Sequence, residues 1–242
     1  MIDKRMAKRA SDPMSRSGDF LDVLLDQCEG DGLDFTPQNI KPLILDLFIA
    51  GSDTSAITTE WAMAELIGNP EIMQKAREEL REVIGRERAV RESDIDQLPY
   101  LQAVVKETLR LHPAVPLLLP YKATNDVEVC GYTIPKGTPV LVNPWGMARD
   151  PNYWDEPLAF RPERFLNFLN STDRGRDFEY PPFGAGRRIC PGLPLAIRMI
   201  HPMLGSIIHS FKWRLPPGEE LDMKDQFGVT LKKAKSLRAI PI

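Results

Sequence analysis

The stretch Phe183-Gly184-Ala185-Gly186-Arg187-Arg188-Ile189-Cys190-Pro191-Gly192 limits most sharply what this chain can become. One cysteine ends a glycine-rich turn just before an apolar run. The cations Arg187 and Arg188 stand beside it, and a helix N-terminus is expected to follow; both suit an anionic sulfur. The glycines let backbone N–H groups approach that sulfur and restrain its charge. A thiolate so placed can be a metal ligand or a nucleophile. The ordinary alternative is a structural cysteine buried in a loop, the usual fate of a lone thiol. Cys190 alone would favour that alternative; its ten-residue context does not.

Composition narrows the remainder. A chain of 242 residues with 43% hydrophobic content can bury a sizeable core. A net charge of −3 gives no footprint for a nucleic-acid partner. Cys28, Cys130 and Cys190 are far apart, with no CxxC and no Cys/His pair, which argues against zinc and against a disulfide framework and fits a reducing compartment. The longest apolar run, residues 43–51, contains Asp46 and is too short to span a bilayer. Residues 1–19 are basic and polar without an apolar core, so they read as a solvated linker rather than a secretory signal, with residues 20–242 forming the folded part.

The periodicity predicts helices first and short strands later. An amphipathic segment over residues 20–27 ends at a turn over residues 29–32. Thr36-Pro37 reads as an N-cap and first helical residue, opening a long apolar helix to Ile67 that is closed by Gly68-Asn69-Pro70. Pro42 should kink that helix or mark its true start. Residues 71–84 form a charged helix whose Glu78, Glu79, Arg81 and Glu82 read as a solvated face, and residues 100–111 a third. An extended run over 115–121, a hairpin over 127–134, a strand over 138–142 and a helical turn within 143–149 follow. Residues 150–182 show little periodicity. Residues 193–211 are apolar nearly all round, despite Pro202, which predicts a buried helix.

Three constellations carry chemistry. Ala50-Gly51-Ser52-Asp53-Thr54-Ser55 places poor helix formers at a helix centre. Gly51 leaves a gap, and Asp53 and Thr54 set an acid and an alcohol, the parts of a proton relay, beside it; a polar kink facing water is the equal alternative. Glu107 and Arg110 share one helix face, and Pro162-Glu163-Arg164-Phe165 brings a further arginine that can complete an Arg–Glu–Arg network instead of a mere surface pair. Arg188, two residues before Cys190, suits a carboxylate or phosphate on a cofactor bound by the cysteine.

These motifs, in this order, resemble the cytochrome P450 superfamily, and the wording of the segments resembles its plant microsomal terpenoid hydroxylases of the geraniol 8-hydroxylase group. The resemblance implies a mainly α fold with small β-sheets, as the C-terminal portion of the P450 fold. It implies that Cys190 is the axial thiolate of the iron of haem b (iron protoporphyrin IX). Phe183 would pack on the thiolate side, Gly186 and Gly192 permit the tight turn, and Arg188 pair with a propionate. Asp53 and Thr54 would deliver protons, while Glu107, Arg110 and Arg164 support the haem-binding core. Leu47, Ala50, Gly51, Val115, Leu117, Leu118, Phe227 and Val229 would line an apolar substrate pocket.

The activity implied is haem-thiolate monooxygenation of a small lipophilic molecule, a terpenoid in the first instance. It uses O2 and electrons from an NADPH-dependent cytochrome P450 reductase docked on the basic face near Arg187, at the cytosolic side of the endoplasmic reticulum membrane. Family members are about twice this length. The chain is therefore expected to be a fragment corresponding to the C-terminal half, with membrane association only if an N-terminal anchor is restored. Tyr121 stands where the family commonly has a basic residue. Two alternatives stay open: a truncated, non-catalytic chain, and a haem-thiolate peroxygenase needing no reductase.

Overall fold

The computed structural model describes residues 2–12, 15–29, 35–166 and 179–242. The fold is mainly α-helical with small β-sheets and divides into two compact units, Met1–Asp53 and Thr54–Ile242. The turn expected at residues 29–32 lies, beyond Glu29, outside the described residues, as does the 167–178 part of the irregular stretch.

In the first unit, the segment expected to be a solvated linker instead forms helix α1 (Ile2–Ser11). The reason is charge matching at helical spacing. Arg5 and Arg9, one turn apart, face α2 (Phe20–Glu29), where Asp22 and Asp26 are also one turn apart. Arg5 binds Asp22 at 2.9 Å and Asp19 at 2.9 Å; Arg9 binds Asp26 at 2.9 Å and the Asp22 carbonyl at 3.0 Å. Leu21, Leu24 and Leu25 bury against Ile40 from the start of α3 (Pro37–Gly68). Helix α3 begins where Thr36-Pro37 predicts. The Thr36 amide and hydroxyl both donate to the Asn39 side chain at 2.8 Å, so the third helical residue reaches back to close the terminus. The helix runs on through Pro42.

The second unit is built on the rest of α3, on α4 (Pro70–Ile84), α5 (Pro99–Leu111) and α7 (Leu193–Ser210), with the single turn α6 (Pro144–Met147) between. Their shared core includes Ala62, Leu66, Leu80, Leu101, Val104, Ile200, Leu204 and Ile208. Two expectations are corrected here. Glu79 does not belong to a solvated face: its carboxylate accepts the Tyr100 and Leu101 amides at 2.6 and 2.9 Å and so satisfies the open N-terminus of α5. Burial pushes its carboxyl up, against those two hydrogen bonds. Helix α7 is not buried all round. Ile200, Leu204 and Ile208 face the core, while Leu195, Met199 and Met203 stay exposed. Pro42 and Pro202 free the carbonyls of Gln38 and Arg198, and both of those residues are exposed, so water can take the place of the missing donors.

Four two-stranded antiparallel sheets are formed among the described residues. Strand β1 (Tyr121–Lys122) pairs with β4 (Pro139–Val140), and β2 (Val127–Val129) with β3 (Tyr132–Ile134). Strand β5 (Trp213–Arg214) pairs with β8 (Ile240–Pro241), and β6 (Asp225–Gln226) with β7 (Lys232–Lys233). The β2–β3 hairpin turns through Cys130 and Gly131 at φ 50° and 80°, the two left-handed residues of a twist-matched two-residue turn. The extended run expected over 115–121 is strand only from Tyr121; Leu118 within it is left-handed at φ 53°.

Candidate functional site

The cysteine loop is closed by its own backbone. The Cys190 amide donates to the Phe183 carbonyl at 3.0 Å, and inside that ring the Ile189 amide donates to Gly186 at 3.2 Å. A short 3-10 turn spans Gly186–Arg188. Gly184 and Gly186 sit at φ 72° and 67°, where an L side chain is strained. Gly192 differs: its φ is −83°, open to any residue, so the tight turn does not require it. A Cβ there would stand 3.7 Å from the Cys190 Sγ, so the glycine leaves one flank of the sulfur clear. The Cys190 thiol is half-buried, and α7 begins at Leu193, directly after Gly192 as its N-cap. Phe183 is half-buried against the core, whereas Arg187 and Arg188 are exposed.

The chain around α5 is fixed by a buried ionic network. Glu107 and Arg110 on α5 pair through two 2.8 Å hydrogen bonds, and both side chains are fully buried. Arg164 arrives in the 3-10 turn Pro162–Phe165 and binds Glu107 at 3.0 Å; the Arg161 amide adds a bond of 2.8 Å to the same oxygen. The arginines spend their other donors on loop carbonyls. Arg110 reaches Ala148, Pro157 and Ala159, and Arg164 reaches Asp155, Glu156 and Ala159. Both guanidinium groups also lie over the Trp154 ring. Glu107, Arg110 and Arg164 are thus brought together, and burial is supported because nearly every donor is used.

Tyr180, absent from the sequence reading, links this network to the cysteine loop. Its ring packs on Phe165 at 5.1 Å, and its hydroxyl donates to the Lys106 carbonyl of α5 at 2.8 Å. Burial pushes its phenol well above the ordinary range, so it remains a donor. Only its position five residues before Ala185, next to two prolines, hinted at an anchor.

One of the expected pocket segments borders this loop, and a second is tied to the first. The Leu118 side chain reaches Gly184, with Cδ1 3.5 Å from where a Cβ would stand. Val115 and Leu117 are half-buried in the same segment, and the Ala114 carbonyl accepts the Leu231 amide at 2.9 Å. That bond ties residues 114–118 to the loop carrying Phe227 and Val229, both exposed. Leu47, Ala50, Gly51 and Asp53 lie on an exposed stretch of α3 in the first unit, and Thr54, half-buried, opens the second. Nothing within 4 Å fills the space a Cβ on Gly51 would take.

A second buried group was missed because its members lie far apart in sequence. Trp61 and Glu65, one turn apart on α3, meet His112 at the end of α5. The Trp61 and His112 rings stack at 3.9 Å and 5°, and His112 Nε2 lies 2.7 Å from Glu65 Oε1. Burial lowers the His112 pKa despite the pull of Glu65, so the ring is neutral and its Nε2–H donates.

The donor set fits haem. The Cys190 thiol is half-buried and Gly192 leaves one flank of its sulfur clear, so it could supply one ligand to a metal that brings others with it. The iron of a porphyrin is such a metal, and Cys190 would hold it through its sulfur.

The family model of cytochrome P450 matches residues 1–239. The chain is 55% identical over its whole length to cytochrome P450 76C2 of Arabidopsis thaliana, covering 48% of that protein. It is 51% identical to geraniol 8-hydroxylase of Catharanthus roseus, again over the whole chain and 49% of the relative. A zebra fish cytochrome P450 solved with progesterone superposes with a TM-score of 0.83 at 33% identity, over 97% of this chain and 56% of that one. The chain thus spans about half the length of the curated relatives it matches. Loop, network and relatives agree: this chain belongs to the cytochrome P450 family.

Proposed function

We propose that this chain is the haem-carrying part of a monooxygenase that hydroxylates a small lipophilic, terpenoid-like substrate. The observation that carries the reading is the Cys190 loop: a half-buried thiol on a self-closed glycine turn, ahead of α7 and anchored through Tyr180 to the α5 network. When bound, haem supplies oxygen activation and one-electron redox chemistry. Cys190 would hold it through Sγ, with Gly192 leaving the flank of the sulfur clear. Phe183 would cover the thiolate side. Arg188 is exposed and makes no ion pair among the described residues, which suits it to a propionate. Asp53 and Thr54 are the proposed relay, a carboxylate to take up a proton and a hydroxyl to pass it on.

Leu118, Phe227 and Val229 present apolar surface to a substrate, and the likeness to geraniol 8-hydroxylase supports a terpenoid. Electrons come from an NADPH-dependent reductase docking beside Arg187. The family likeness also supports the cytosolic face of the endoplasmic reticulum; among the described residues no helix is long and apolar enough to cross a membrane.

The reading to set against it is a haem-free chain without catalysis. Expression with haem supply, followed by reduction and carbon monoxide, separates the two. A thiolate-type Soret band that is lost in Cys190→Ser is expected. Absence of haem uptake in the unaltered chain would defeat the monooxygenase reading.

A further inference from the structure

The buried Trp61–His112 stack stands at the roots of two apolar segments, of which one, residues 114–118, borders the cysteine loop. Trp61 is fully buried, and its indole N–H donates to the Leu231 carbonyl at 3.2 Å. Two residues on, the Lys233 ammonium lies 4.6 Å over the same indole. The loop carrying Phe227 and Val229 is therefore held at its far end by a hydrogen bond and a cation–π contact, both to one side chain. The other segment is held through His112, which stacks on Trp61 only two residues before Ala114. The Leu231 amide then closes the circuit by donating to Ala114. Glu65 fixes the imidazole, and the Asn69 amide donates to the Glu65 carboxylate at 3.2 Å, so the partners of the stack are themselves held.

We propose that Trp61 is a positioning residue that sets the separation of residues 114–118 and 227–231, and through it where on a lipophilic substrate the reaction falls. The inference rests on the monooxygenase reading above. Its physical basis is leverage. Leu118 at one tip rests on the cysteine loop, while Phe227 and Val229 at the other are exposed and unsupported by packing. Their placement depends on the roots, and a displacement of about 1 Å in a substrate-facing group is enough to change which bond is presented.

Trp61→Phe keeps a ring for the stack and deletes the N–H, leaving the Leu231 carbonyl without its donor. The test uses the haem-loaded protein with a flavoprotein reductase, NADPH and geraniol as the probe. Expected for Trp61→Phe is a reduced carbon monoxide band like that of the parent. Hydrogen exchange should be faster in residues 227–231. The geraniol KM should rise about three- to tenfold, the loss of roughly one buried hydrogen bond, with a smaller change in kcat and an altered ratio of hydroxylated products. An intact band with unchanged exchange, KM and product ratio overturns the proposal. If Trp61→Phe loses the band, His112→Gln, which keeps a donor for Glu65 and removes the stack, is read in the same way. Loss of the band in both variants shows that the pair only holds the fold and overturns the proposal. A parent protein lacking the thiolate band fails at the underlying reading instead, a result separable from any behaviour of the variants.

Discussion

Three glycines of the cysteine loop look alike in sequence and differ in kind once the backbone is known. Gly184 and Gly186 are left-handed; Gly192 is not. Gly186→Ala meets no atom within 4 Å, so its penalty is purely conformational, about 1–2 kcal/mol. Gly192→Ala adopts an ordinary φ and gains a van der Waals contact with Sγ, so its effect on stability should be well under that. Urea unfolding of the two variants checks this; equal destabilisation would contradict the assigned backbone. The family resemblance marked Gly186 and Gly192 for one shared reason, a tight turn. Spacing shows where glycine stands, but only dihedral angles show which glycine is obligatory. The thiol at Cys190 was legible because charge, glycine and helix start converge within ten residues. Tyr180 was not, because a half-buried phenol bonded to a distant carbonyl leaves no local pattern.

At the scale of elements, α5 is the member on which others depend. Glu107→Ala would leave Arg110, fully buried, and Arg164 without their carboxylate, at an expected cost of about 3–5 kcal/mol. Arg164→Ala should be milder, since Glu107 keeps Arg110 and the Arg161 amide. Thermal or urea unfolding of both variants and their double mutant tests the order and the coupling between them. The pairing of Glu107 with Arg110 could be read from helical spacing, and the arrival of Arg164 from its short motif. The role of Glu79 could not: a carboxylate on a charged helix resembles any solvated neighbour until the N-terminus of α5 is brought against it. Likewise α1 escaped notice because its stabilising partners, Asp22 and Asp26, sit on another helix. The exposure of Leu195, Met199 and Met203 on α7 was hidden by composition, since an apolar residue does not declare which face it occupies.

For the molecule as a whole, two buried histidines set a pH response. Burial lowers the pKa of both His112 and His201. His112 faces Glu65, which opposes the shift, and Arg149 and Lys233, which add to it; His201 faces the Ile197 carbonyl, which opposes it, and Lys106, which adds to it. A histidine with a depressed folded-state pKa binds protons more readily when unfolded. Its stabilising contribution is complete above about pH 6.5 and declines as the pH falls through the lower folded value. Urea midpoints should therefore be level from pH 8 to 7 and drop toward pH 5, with a smaller drop in His112→Gln. A flat profile across that range would contradict neutral burial. The helical character of the molecule followed from apolar periodicity, and the hairpin from its alternation. The tie between Trp61, His112 and Leu231 joins three distant stretches, and pairwise contacts of that kind are written in no single window of sequence.

The hairpin turn at Cys130 has a practical corollary. Its thiol is exposed at the apex of a two-residue turn, whereas those of Cys28 and Cys190 are half-buried. A mild alkylating dye will reach that sulfur first, so the chain already carries an attachment point for an optical label. A chromophore there, on an exposed two-strand hairpin, can report the approach of another protein without any engineered cysteine.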